Sequence, residues 1–115
     1  MEKDLYIKIT DKVRAIIEES PSANPGRLSE ILVELTSLNS TLSEALDDIL
    51  VLKPDRLVDL RSQYKTVSET EWAWKQSREG KQEVYLRGWL SRIKENKSAI
   101  KTRLQVKHDE AFGSY

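Results

Sequence analysis

The sequence predicts an all-α protein: an elongated helical bundle or coiled coil with a short N-terminal helix, a heptad-patterned second helix and a long C-terminal helix. Three observations lead there. Apolar residues recur every three or four positions through three long stretches, which is the period of one helix face. Strong breaks are confined to Ser20-Pro21-Ser22-Ala23-Asn24-Pro25-Gly26 and Lys53-Pro54-Asp55. No alternating apolar and polar run is bounded by turn residues, so nothing reads as a strand. A length of 115 residues fits one all-helical domain, residues 1–115, with a modest core.

The first helix is expected over residues 4–19, where Leu5, Ile9, Val13, Ile16 and Ile17 form the repeating face, Asp4 can cap and Pro21 stops the run. The second is expected over 25–52. Asn24 can cap it, and Pro25 suits the first helical position because the donor that proline lacks has no partner there anyway. Leu28, Leu35, Leu42 and Ile49 then fall every seven residues, with Ile31, Leu38, Ala45 and Leu52 between them. Such a seam calls for a partner helix. The apolar fraction is only 38%, against about 45–50% in ordinary globular domains, so the chain has little with which to cover long helices. Leu28, Leu35, Leu38, Leu42 and Ile49 are therefore read as an oligomer seam, and the chain as a homo-oligomer.

The third helix is expected over 55–111, through Leu57, Leu60, Tyr64, Val67, Leu86, Leu90, Ile93, Ile100 and Leu104. Gly80 and Gly88 each cost about 1 kcal/mol relative to alanine, too little to break a helix supported by packing. One continuous helix is favoured; the alternative is a hairpin turning at Arg78-Glu79-Gly80-Lys81, which brings the basic end back toward Trp72.

Composition removes several classes of chemistry. Without cysteine there is no disulfide framework, thiolate zinc site or cysteine nucleophile. No apolar run approaches the roughly 20 residues that span a bilayer, and Met1-Glu2-Lys3-Asp4 does not open a signal peptide, so an intracellular protein is expected. The one histidine, His108, lies in a polar stretch before Asp109 and Glu110 and reads as an exposed helix-end residue, not a catalytic base. Asp47-Asp48 and Glu18-Glu19 are adjacent pairs whose side chains diverge by about 100° on a helix, so neither converges on an ion. Gly80 and Gly88 do not build a phosphate loop. No catalytic residue, metal or cofactor is expected, and the protein is read as non-enzymatic.

The zero net charge hides a division. Residues 1–52 carry five Lys/Arg against ten Asp/Glu, and residues 53–115 carry fourteen against nine. Between Val84 and His108, Arg87, Arg92, Lys94, Lys97, Lys101, Arg103 and Lys107 face only Glu95. Arg87, Lys94, Lys101 and His108 are spaced by seven, a stripe rising about 10.5 Å per step on a helix, with Ser91, Ser98 and Gln105 beside it. A phosphate backbone can track such a face, and Tyr85 and Trp89 at its start, with Trp72 and Trp74 upstream, offer stacking platforms for unpaired bases. The plainer readings are a solvated charged face and, for Trp89 at helical spacing with Leu86, Ile93 and Ile100, a place in the core.

Thr70-Glu71-Trp72, Glu79-Gly80, Leu86, Leu90 and Ser98-Ala99-Ile100-Lys101-Thr102-Arg103-Leu104 resemble small all-helical proteins of tailed phages, over about residues 66–112. Within that group the ending Ile93-Lys94, Ala99-Ile100-Lys101 and Phe112-Gly113 is similar to the C-terminal helix of the UvsY-type phage recombination mediators. The resemblance implies an oligomer that binds single-stranded DNA and helps load a recombinase, with Lys94, Lys97, Lys101 and Arg103 as DNA contacts. Taken with the stripe, the expected nucleic-acid-binding set is Arg87, Lys94, Lys97, Lys101, Arg103, Trp89 and Tyr85. The expected function is a phage-type accessory of DNA recombination or replication in the cytoplasm of a bacterial host, its partners being further copies of itself, single-stranded DNA and a recombinase or other phage protein, with no membrane. The alternative is a coiled-coil adaptor, assembly chaperone or scaffold without nucleic-acid binding, whose acidic and basic halves meet across protomers.

Overall fold

Ile9, Val13 and Ile16, at helical spacing, are the buried side of the first helix, α1 (Lys3–Glu19). The computed structural model describes the backbone of residues 3–112 and the side chains of residues 7–110. The Asp4 cap and the Leu5 core position therefore lie outside the described side chains, as does Gly113 outside the described backbone. Pro21 ends the run as expected, by way of a single 3-10 turn over Ser20–Ser22.

The second helix, α2 (Pro25–Arg61), begins where the sequence places it. The Asn24 side-chain oxygen accepts the Arg27 N–H at 2.8 Å, and Pro25 occupies the first position. Its end is not at 52. The helix runs through Pro54, although proline lacks the N–H that would reach the Leu50 carbonyl and its ring crowds that carbonyl, at about 3 kcal/mol. Packing on both sides outweighs that cost, because Leu46 and Ile49 before the proline are buried and Leu57 and Leu60 after it, on the same face, are half-buried. The last turn closes with the N–H groups of Gln63 and Tyr64 donating to the Leu60 carbonyl, at 2.9 and 3.0 Å.

The continuous helix expected over 55–111 is divided. After a turn at residues 62–66 comes α3 (Val67–Gln76), capped by Thr66, whose hydroxyl accepts the Glu69 N–H at 3.0 Å. Its buried side is Thr70, Ala73 and Trp74. The next break is at Ser77, one residue before the tetrapeptide weighed as a hairpin turn, and Arg78–Lys81 form the first turn of α4 (Arg78–Phe112). Ser77 serves both helices. Its hydroxyl donates to the Trp74 carbonyl at the end of α3 and accepts the Gly80 N–H at the start of α4. Gly80 is required there: a Cβ would stand 1.8 Å from the Trp74 carbonyl oxygen.

Among the described residues the result is an all-α bundle of four α-helices, in two compact units. The first comprises residues 1–40 and 91–115, with Val13, Leu28, Ile31, Leu35, Ile93 and Ile100 among its buried apolar side chains. The second comprises residues 41–90 and buries Leu42, Ala45, Ile49, Trp74, Leu86 and Trp89. The heptad positions Leu28, Leu35, Leu42 and Ile49 are thus buried, and Leu38 half-buried, within a single copy of the chain. Their reading as an oligomer seam is corrected accordingly. A heptad pattern demands a covering helix, and helices of the same chain meet the demand.

Candidate nucleic-acid interface on the last helix

In the first unit, residues 91–108 of α4 carry Arg92, Lys94, Lys97, Lys101, Arg103 and Lys107 against the single carboxylate Glu95. Ile93 and Ile100 are fully buried and set the rotation of this segment. At about 100° per residue, Lys94, Lys97, Lys101 and His108 then share one flank beside the core, while Arg92 and Arg103 fall on the other. Lys94 and Lys101 are exposed, and Lys97 is half-buried, which fits an alkyl stem lying along the core edge with its ammonium in water. Among the described residues no carboxylate lies within ion-pair distance of Lys94, Lys97, Lys101 or Lys107. Like charges three and four residues apart repel by a few tenths of a kcal/mol per pair. A bound anion relieves that repulsion.

Two cations elsewhere, Arg27 and Lys53, are closely engaged. The Arg27 guanidinium donates to both Glu19 oxygens, at 2.5 and 2.9 Å, and lies 3.2 Å from Glu30 and 3.5 Å from Glu34. The hydrogen bonds from Arg27 hold the Glu19 carboxyl below its ordinary range, and Glu19 and Glu30 together push Arg27 up. Lys53 pairs at 3.2 Å with Glu83, a carboxylate only 7% exposed.

Other members of the expected set take different roles. Arg103 is half-buried, and its guanidinium donates at 2.8 Å to the Ser20 carbonyl at the end of α1. It supplies a donor and positive charge where a helix C-terminus lacks both, so this side chain ties α4 to the end of α1 within the first unit. In the second unit, Arg87 is exposed and 3.9 Å from Glu83. Trp89 is only 5% exposed, with its ring edge-on to Tyr85 at 6.4 Å. Its reading as a stacking platform is corrected, because it occupies the face that Leu86 buries. Trp74 is likewise buried, with the Lys53 ammonium 5.4 Å from its ring centre. Among the described residues Tyr85 and Trp72 are the exposed aromatics, at 45% and 60% exposure. The buried Thr70, Ala73 and Trp74 turn Trp72 outward, while the spacing of Trp89 with Leu86, Ile93 and Ile100 already marks it for the core.

Among the described residues no group of three or more His, Cys, Asp or Glu could hold a metal ion, and no helix is long and apolar enough to cross a membrane. Fold and site together define an all-α protein with an unneutralised basic helix face. No protein-family model, curated protein or solved structure matches the chain.

Proposed function

We propose that this protein is a non-enzymatic accessory that binds the phosphate backbone of nucleic acid through the flank Lys94, Lys97 and Lys101, without reading base sequence. The observation that carries the reading is the clustering of these three ammonium groups on one flank of a segment, residues 91–108, whose single carboxylate is Glu95, with no carboxylate among the described residues within ion-pair distance of them. Phosphates spaced along a backbone are a complementary partner, because the lysines rise about 10.5 Å from Lys94 to Lys101 on one helix side. Single-stranded DNA is the form that the resemblance to recombination mediators implies. With Trp89 in the core, affinity rests on charge and stacking adds little at that position.

Titrating a labelled single-stranded oligonucleotide at several salt concentrations tests the reading. Each lysine that neutralises a phosphate on a single strand adds about 0.7 to the slope of log affinity against log salt. Changing Lys94, Lys97 and Lys101 together to Gln is expected to flatten that slope by about 2 and to weaken all base compositions alike. An unchanged slope moves the interface off this flank. No binding by the unaltered protein at low salt sinks the nucleic-acid reading and favours the adaptor.

A further inference from the structure

The C-terminal part of α2 bears an apolar face that its own unit leaves open. Leu50, Lys53, Pro54, Leu57, Val58 and Arg61 line a cleft of about 400 Å³ along one side of this helix. Val51 and Val58, on the same side of the helix, are 76% and 65% exposed, so covering them would remove apolar surface from water. Pro54, at the centre of this side, lies about 140° around the helix from buried Ile49, and half-buried Leu50 and Leu57 stand at the edge between the two faces.

The pattern on this face is symmetric about Pro54. Leu50 and Val51 stand four and three residues before it, and Leu57 and Val58 three and four after. Seven residues before stands Asp47, and seven after stands Arg61. All of these positions fall within about 60° of Pro54 around the helix axis. Asp47 and Arg61 are both exposed, and neither has an ion-pair partner among the described residues. Turned by 180° about an axis through Pro54, the face meets itself: apolar positions fall on apolar positions, and each Asp47 falls on an Arg61.

We propose that this face is the docking site for a second copy of the chain, the two α2 helices packing antiparallel with Pro54 at the two-fold axis. A two-fold interface must be self-complementary, and this stripe is so in both shape class and charge. A partner of another sequence has no need of the palindrome. The proposal is independent of nucleic-acid binding, which uses α4. Because the stripe is only about 21 Å long, association is weak and depends on concentration.

The test is sedimentation of the full chain from low micromolar to near-millimolar concentration, with circular dichroism confirming that each variant is folded. A monomer–dimer equilibrium is expected. Asp47→Arg or Arg61→Asp alone places like charges opposite one another at both ends and is expected to weaken dimerisation by about tenfold or more, while the double exchange restores it to within about threefold. The chain has no cysteine, so Pro54→Cys creates only a disulfide between copies. That variant is expected to cross-link rapidly under mild oxidation, and Asp11→Cys on α1 slowly. A monomer throughout the range, single exchanges that leave the dimer intact, a double exchange that fails to restore it, or equal cross-linking at positions 54 and 11 overturns the proposal.

Discussion

Two glycines that look alike in the sequence behave differently once neighbours are in place. Gly80 lies where α4 leaves α3, and a methyl group there would enter the Trp74 backbone; around Gly88 a methyl would meet nothing within 4 Å. Neither has a positive φ, so the requirement at 80 is room rather than backbone freedom. Gly88→Ala is expected to raise stability by up to about 1 kcal/mol through helix propensity. Gly80→Ala is expected to lower it despite the same propensity gain, and urea unfolding of the two variants reads the opposite signs. The Glu19–Arg27 pair carries a pH effect of definite sign. Glu19 titrates lower in the folded chain than in the unfolded one, because the Arg27 guanidinium hydrogen-bonds its ionised form. Its contribution is therefore present above the unfolded carboxyl range and is lost as pH falls through the lowered folded value. Arg27→Gln is expected to return the Glu19 carboxyl toward its ordinary titration, followed by NMR, and to remove this part of the acid sensitivity.

At the scale of elements, proline and capping residues carried different weight than periodicity assigned them. Pro54, a boundary by its residue type, is interior to α2. Its N–H deficit is still a cost, so Pro54→Ala is expected to stabilise the fold by about 1–3 kcal/mol, measured by thermal or urea unfolding with the helix signal unchanged or higher. The true boundary at 62–66 had a legible signal in Thr66-Val67-Ser68-Glu69, a Ser/Thr followed three residues later by Glu. In the structure Thr66 caps the Glu69 N–H, and the Glu69 carboxylate accepts the Lys65 N–H at 3.3 Å. The apolar rhythm of Leu60, Tyr64 and Val67 passes straight across this motif, which is why continuity was the natural reading. Ser77 carries a weaker signal: its hydroxyl bonds reach residues only three away on either side, but glycine, not Glu or Gln, stands at the third position after it.

At the scale of the whole molecule, the heptad positions separate folding from assembly. Leu35 and Leu42 are fully buried without a second chain. Replacing either with Ala is expected to cost about 2–5 kcal/mol of stability. That loss should be the same at low and high protein concentration, because the cavity opens inside one copy. A loss that grows as the protein is diluted would return the seam to an interface between chains. The charge division has the same two-level character: the excess of cations between Val84 and His108 is visible in composition, but which of them are committed to Ser20 or Glu83 and which face outward is not.

By itself the sequence determined the all-α class, the start of α2 at Asn24-Pro25, the stop at Pro21, the apolar faces of α1 and α2 and the basic character of the last helix. These follow from interactions among residues close in the chain, in which period, cap and proline geometry act locally. Only the tertiary structure decided that the seam closes within one copy, that α2 persists through Pro54, that Trp89 turns inward and that Arg103 serves the end of α1. Each of these depends on which distant surface covers a given face, and a periodic pattern states that a face must be covered without stating by what.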